Sequence, residues 1–369
     1  MKKHFWIYLS LILIIIVFVL LPANIKTLLG TTSLQEPVIQ DTPQPYVFPS
    51  TIEPVSPSQT SEILFFQELS DGSSLLLMMD GDGNRTQKIG IFTGSPAWSP
   101  DGKYIAVGCE DTNFICILDV NGIPNKRNFP PDYESLSSLI RSEIPLPAEC
   151  DAYKFPSWGL SSISWSFDAT KLAIVCEEFD KSSEKKTGAS VCIVPTDQTK
   201  PTCLDETDAV FKWTTRAVWS PVANILALSS TGIYTVNPDG SDLVLLDRDG
   251  LSPEWSPDGK QIVYIQRDIE TQYYPGIVLI NSDGSNPRWL YKPNPNWDSD
   301  ALYYRLHLSC DWLSTNCRLT WSSDGRYVSL SSGWQDVYFF GLFRIDLQTG
   351  DIIILASDGG NYSEPDWGP

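Results

Sequence analysis

One hexapeptide constrains this chain more than any other feature. Trp98-Ser-Pro-Asp-Gly-Lys recurs at Trp255-Ser-Pro-Asp-Gly-Lys, 157 residues later. Degraded copies stand at Trp165-Ser-Phe-Asp-Ala, Trp219-Ser-Pro-Val-Ala and Trp321-Ser-Ser-Asp-Gly-Arg. Seven residues after each Trp comes Ile105, Leu172, Leu226, Ile262 or Val328, and nine after comes Val107, Ile174, Leu228, Tyr264 or Leu330. Between them sit Ala106, Ala173, Ala227, Val263 and Ser329. Large and small residues alternate with period two, which marks a strand packed between neighbouring sheets.

A second strand follows in each unit, over 114–118, 191–194, 233–236, 277–280 and 342–345. Turn residues close it: Val120-Asn-Gly, Asn237-Pro-Asp-Gly, Asn281-Ser-Asp-Gly and Leu347-Gln-Thr-Gly. Asn-Gly and Asp-Gly supply the positive φ that tight hairpins require. A last strand follows, as at 243–246 and 352–355. Each unit is therefore a four-stranded meander, the size and strand count of a propeller blade.

The two ends of the array complete each other. Residues 63–89 supply three strands and lack a Trp-bearing first one, and Glu364-Pro-Asp-Trp367 supplies that strand alone. Pairing of residues near 364–367 with 62–67 then closes a ring of six blades. Closure hides the sheet edges that invite aggregation, and the propeller is expected to be monomeric. The fold class is all-β, a six-bladed β-propeller closed by its N- and C-terminal strands.

The Trp-Ser-Pro-Asp-Gly-Lys unit, followed by a strand and an Asn-x-Asp-Gly turn, closely resembles the repeat of the TolB-like propellers, a WD40-like repeat family. The resemblance spans roughly 62–369. It implies a periplasmic propeller that binds envelope proteins. One fold hosts many sites, so the resemblance is specific for the fold and not for the function.

The first 60 residues set the compartment. Lys2 and Lys3 precede an apolar run from Phe5 to Leu21, which Pro22 ends. The run is long for a signal-peptide core and short for a spanning helix. Leu21-Pro22-Ala23 is a poor cleavage site, so residues 1–30 read as a signal or membrane anchor, with an uncleaved anchor favoured over a cleaved signal. In either case the positive end stays inside and the rest is exported. The chain is then a single-pass anchored protein with its propeller outside the cytoplasm, or a secreted or periplasmic one after cleavage. Residues 31–60 hold six Pro and nine Ser or Thr, with no Lys, Arg or Gly. Such a segment buries too little apolar surface to order itself and reads as an extended tether. The propeller domain occupies 61–369.

Charge excludes one class of partner. Twenty-six Lys and Arg against 45 Asp and Glu give a net charge of −19. Phosphate recognition needs a clustered positive surface, so nucleic acid is not an expected partner.

The eight cysteines all fall in the exported part, as suits an oxidising compartment. Cys109 and Cys176 each follow their Trp by eleven residues, and Cys116 and Cys192 lie in the matching next strands. The expected disulfides are Cys109–Cys116 and Cys176–Cys192, with Cys310–Cys317 clipping a loop and Cys150–Cys203 by elimination. No Cys-x-x-Cys pair occurs and His307 is the only His after His4, so neither a zinc site nor any other cofactor is expected. Asp80-Gly-Asp82-Gly-Asn84 resembles the start of a calcium loop. Arg85 stands at its sixth position and Ile91 at its twelfth, so it reads as an ordinary hairpin turn.

With strands A to D named from the channel outward, the A–B and C–D turns lie on one face of the ring. The B–C loops and D–A connections lie on the other. The insertions at 130–160, 177–190, 204–215, 266–275, 291–318 and 331–340 are assigned to that second face. Loops on a rigid scaffold are the usual carriers of binding residues. The segment 291–318 holds Tyr291, Trp297, Tyr303, Tyr304, Arg305, His307 and Trp312, and Tyr273, Tyr274 and Trp334 stand in neighbouring insertions. Tyr, Trp and Arg dominate binding hot spots. The leading reading is a membrane-tethered, non-catalytic propeller that binds an envelope or extracellular protein, or another envelope ligand, through this face. No catalytic residue is assigned. The alternative is a carboxylate-based glycan hydrolase or lyase at the channel mouth, using residues such as Glu177, Glu178, Asp298 and Asp336.

Overall fold

The computed structural model describes residues 62–110, 113–123, 139–148, 150, 160–179, 186–204, 208–266, 276–292, 318–334, 339–356 and 361–369. Within them 24 strands form six four-stranded antiparallel blades, two of which are joined into one eight-stranded sheet. The first blade holds β4 (Thr93–Trp98), β5 (Tyr104–Gly108), β6 (Phe114–Asp119) and β7 (Ile140–Pro145). The second holds β8 (Leu160–Trp165), β9 (Lys171–Phe179), β10 (Lys186–Pro195) and β11 (Thr202–Cys203). The third holds β12 (Arg216–Trp219), β13 (Leu226–Ser229), β14 (Ile233–Val236) and β15 (Val244–Asp247). The fourth holds β16 (Gly250–Trp255), β17 (Gln261–Gln266), β18 (Gly276–Asn281) and β19 (Arg288–Tyr291). The fifth holds β20 (Leu319–Trp321), β21 (Tyr327–Trp334), β22 (Phe339–Asp346) and β23 (Ile352–Ala356).

The sixth blade closes the ring from both ends of the array. Strands β1 (Glu62–Glu68), β2 (Ser74–Asp80) and β3 (Gln87–Ile91) come from its start and β24 (Asn361–Trp367) from its end. β24 runs antiparallel to β1, with Ile63 opposite Trp367 and Leu64 opposite Asp366. A single parallel bridge, Phe340 to Asn361, joins this sheet to the fifth blade.

The core is six clusters, one between each pair of neighbouring blades. Leu172, Ile174 and Trp165 pack with Ala106 and Ile115 between blades one and two. Ile63, Phe65 and Trp367 pack with Leu342 between blades six and five. Neither face of a blade meets water over its centre, which is why both parities of each B strand are apolar or small.

The repeated hexapeptide has a defined task at the A–B turn. Ser99 Oγ donates to Asp101 Oδ1 at 2.7 Å and accepts the Tyr104 N–H at 3.0 Å. Ser166 with Asp168, Ser256 with Asp258 and Ser322 with Asp324 repeat the bond at 2.7, 2.8 and 2.6 Å. The serines are buried, so each hydroxyl satisfies a backbone donor that water cannot reach. Gly102, Gly259 and Gly325 follow the Asp in the left-handed region, at φ of 67°, 67° and 69°. Asp80-Gly-Asp82-Gly-Asn84 forms the turn between β2 and β3. Asp80 Oδ1 accepts the Asn84 N–H at 2.7 Å and Oδ2 accepts from Arg85 Nε at 2.9 Å.

Two expectations are corrected here. The 130–160 insertion does not lie wholly on one face. β7 lies within it as the outer strand of the first blade, so the segment before β7 is a C–D connection and the segment after it a D–A connection. β7 reads Ile-Arg-Ser-Glu-Ile-Pro and is an outer strand, so only its inward residues need be apolar. Such alternation is easily lost among charged residues.

The cysteine pairing also differs. Cys109–Cys116 is present as expected, but the second blade holds Cys150–Cys176 and Cys192–Cys203 in place of Cys176–Cys192 and Cys150–Cys203. Cys192 lies directly opposite Cys203 across β10 and β11. That direct neighbour takes it, and Cys176 turns to the D–A connection. Cys310 and Cys317 lie outside the described residues.

Candidate functional site

The channel is lined by the six A strands, aligned on their Trp. In the three strands with Pro two residues before it, the backbone is irregular. Gly94, Ser252 and Glu364 adopt φ of 73°, 49° and 54° just ahead of Pro96, Pro253 and Pro365 or one residue further back. Each of these strands shifts register against its neighbour. Proline fits here because the inner edge of strand A has no ladder partner to lose.

The same edge leaves backbone donors that must be satisfied, and in three blades the residue just before the Trp meets part of that need. Ser164 Oγ accepts the Trp219 N–H at 3.0 Å, Thr320 Oγ1 that of Trp367 at 3.1 Å, and Asp366 Oδ2 that of Trp98 at 2.7 Å. Side chains one and three residues before the Trp therefore reach the next blade.

Five of these are ionic. Arg216 Nη2 donates to Glu254 Oε2 at 2.6 Å and its Nε to the Pro253 carbonyl at 3.3 Å. Arg318 Nη2 donates to Asp366 Oδ1 at 3.2 Å, and its Nη1 to the Pro96 carbonyl at 3.0 Å and Glu364 Oε2 at 3.4 Å. Ser95 Oγ donates to Glu364 and to the Ser161 carbonyl. The device is the same twice: an Arg three residues before its Trp clasps an acid one residue before the next blade's Trp. Three carboxylates against two guanidiniums leave one surplus negative charge.

Burial governs the electrostatics. The guanidinium side chains keep 7% and 4% exposure, and those of Glu254, Glu364 and Asp366 keep 15%, 12% and 16%. The carboxylate side chains thus keep more contact with solvent than the guanidiniums that pair with them. Burial pushes Asp366 up to about 6, against the opposing pull of Arg318 and the Trp98 N–H. Burial, then the nearby Arg318 charge, pulls Arg216 below the usual guanidinium range. The described residues contain no group of three His, Cys, Asp or Glu placed to hold a metal ion.

This cluster was missed at the sequence level. Its signal was available as Arg216-Ala-Val-Trp before Pro253-Glu-Trp, and Arg318-Leu-Thr-Trp before Pro365-Asp-Trp. Strand A runs from the D–A side toward the A–B turn, so the arginines and Glu364 form the tier nearer the insertion face.

On that face, two insertions prove to be strand extensions. β9 and β10 continue as a paired ladder to Phe179 opposite Lys186, and β21 and β22 to Trp334 opposite Phe339. Glu177 and Glu178 sit on the first of these arms, opposite Ala189 and Gly188. The 204–215 insertion holds a short helix, α1 (Ala209–Lys212), capped by Asp208 Oδ1 accepting the Val210 N–H at 2.8 Å. Tyr291 ends β19 and packs half-buried on the core between blades four and five. Phe114 and Trp213 are exposed on the same face. Trp297, Tyr303, Tyr304, Arg305, His307, Trp312, Tyr273, Tyr274, Asp298 and Asp336 lie outside the described residues, as does the apolar run 5–21. Among the described residues no helix is long and apolar enough to cross a membrane.

Known structures share this architecture. TolB from Acinetobacter baumannii superposes with a TM-score of 0.58 at 15% identity, over 84% of this chain and 67% of that one. A putative TolB from Agrobacterium tumefaciens gives 0.51 at 15% identity, over 85% and 99%. The fold is that of the TolB-like β-propellers. No protein-family model matches the chain, and no curated protein does. The propeller's likeness is therefore one of fold.

Proposed function

We propose that this chain is a tethered propeller, held outside the cytoplasm, that binds an envelope or extracellular protein through the face bearing its B–C loops and D–A connections. The observation carrying this reading is the asymmetry between the two faces. With one exception, the connections on the turn face are tight hairpins, four of which tie a Ser to an Asp within the turn, and only Phe167 and Val222 are large exposed apolar residues of its A–B turns. The opposite face carries two projecting ladders, a short helix and exposed Phe114 and Trp213, and the aromatic residues of 291–318, most of them outside the described residues, are proposed to add to it. Three disulfides among the described residues support an oxidising compartment. The apolar run 5–21 and the Pro-rich segment 31–60 supply an anchor and a spacer.

The test is capture from envelope extract of the source cells with three baits. One is the native chain, one has 294–309 replaced by a short Gly-Ser loop, and one carries Phe167→Ser and Val222→Ser on the turn face. A partner held by the first and third but lost by the second places binding on the insertion face. A partner lost only by the third would move the site to the turn face and overturn the proposal.

A further inference from the structure

We propose that the second blade holds an exchange-competent pair of disulfides, which a dithiol reductant converts from Cys150–Cys176 and Cys192–Cys203 into a single Cys176–Cys192 bond with two free thiols. Three observations carry this. First, all four of these cysteines pack in one cluster, between blades one and two. Second, Cys176 lies opposite Ser190 and Cys192 opposite Ile174, so the two sulfurs share a face of the sheet on a diagonal of the hairpin. Third, the first blade shows that this diagonal can be bonded. The Cys109 N–H donates to the Phe114 carbonyl and Cys116 lies opposite Val107. That is the same offset, and there the disulfide is formed with the Cα atoms 5.2 Å apart. The twist of an antiparallel pair brings one diagonal close, and it is the same diagonal in both blades.

Access fixes the order of steps. Cys203 is half-buried on the two-residue outer strand β11, while Cys150, Cys176 and Cys192 are buried. A thiolate of the reductant attacks the Cys203 sulfur, breaks its bond to Cys192 and leaves a mixed disulfide on Cys203. The expelled Cys192 thiolate attacks the Cys176 sulfur, forms Cys176–Cys192 and displaces Cys150 as a thiolate, which takes a proton. The reductant's second thiol resolves the mixed disulfide and frees Cys203. The dithiol is oxidised by two electrons, and two protein disulfides become one disulfide and two thiols. The outcome unclips the 146–159 connection from strand β9 and the outer strand from β10. Both changes fall in one blade and leave Cys109–Cys116, in a separate cluster, as an internal standard.

The experiment is partial reduction of the folded full chain with one equivalent of dithiothreitol. It is followed by acid quench, alkylation with N-ethylmaleimide and non-reducing peptide mapping. The expected result is a Cys176–Cys192 linked peptide, with Cys150 and Cys203 alkylated and Cys109–Cys116 retained. Alkylation of Cys192 and Cys203 with Cys150–Cys176 intact would overturn the proposal, and so would absence of reaction in this blade. Cys192→Ser removes the relay thiol, so Cys150 alkylation should be lost in that variant; persistence would show direct reduction and also overturn it. If the variant does not fold, the wild-type map alone decides.

Discussion

At the residue scale, the hydroxyl of the repeated turn and the channel carboxylate lead to opposite pH behaviour. Ser99 is buried, donates to Asp101 and accepts the Tyr104 N–H. Ser99→Ala leaves that N–H without a partner, and the expected loss is roughly 1–3 kcal/mol of stability, read as a lower urea midpoint with an unchanged slope. Asp101 is held down to about 2 by the Lys103 ammonium and then Ser99, so its contribution persists above the ordinary carboxylate range and is lost only as pH falls through about 2. Asp366 runs the other way. Its value in the folded protein, about 6, lies above that of the unfolded chain, so the folded state takes up a proton between about pH 4 and that value. The stability it contributes is complete below the unfolded value and is lost as pH rises through the folded one. Urea melts at about pH 5 and about pH 7 should show the native chain gaining about 1.3 kcal/mol at the lower pH relative to Asp366→Asn. Glu62 and Asp247, also raised by burial, are common to both proteins and cancel in the comparison. Equal pH dependence in the two would contradict the burial argument.

At the element scale, strands and their junctions decide what could be read in advance. The Trp-to-strand spacing located the A and B strands of five blades, because each B strand is buried on both faces and its pattern is uninterrupted. The ring closure was legible for the same reason: 63–89 lacked an inner strand and 364–367 supplied one. The outer strand β7 was not, since one apolar residue in two among Arg, Ser and Glu resembles a loop. The disulfides of the second blade were not legible. Sequence spacing put Cys176 and Cys192 in adjacent strands, but their choice of partner depends on Cys150 and Cys203, whose approach is set by a connection and an outer strand. The ionic junctions went unread because each is split between two blades. Their weight is testable with Arg318→Met, which leaves Glu364 and Asp366 buried with their main cationic partner removed. A cost of about 3–5 kcal/mol is expected in chemical denaturation. A cost under about 1 kcal/mol would mean that water in the lumen solvates the carboxylates.

At the scale of the whole molecule, every blade shares its two cores with neighbours, so no blade is stable by itself. A chain ending at Asp358 lacks β24 and strips the inner strand from the sixth blade. It should lose cooperative melting by circular dichroism throughout, and a transition matching the intact chain would contradict ring closure. The candidate site is the part least legible from sequence. Its aromatic residues could be named but not placed, because insertions obey no repeat, and of those singled out only Tyr291 has a described environment. The place of β1 in the closing sheet has a mechanical consequence. The segment running back to the apolar N-terminal run joins the domain at Glu62, the first residue of a strand flanked by β24 on one side and β2 on the other. A pull along that segment loads two hydrogen-bonded ladders in shear at once, where an outer strand would peel away one bond at a time. The chain thus enters the ring through a strand held on both edges, so a load applied before Glu62 meets two ladders rather than one.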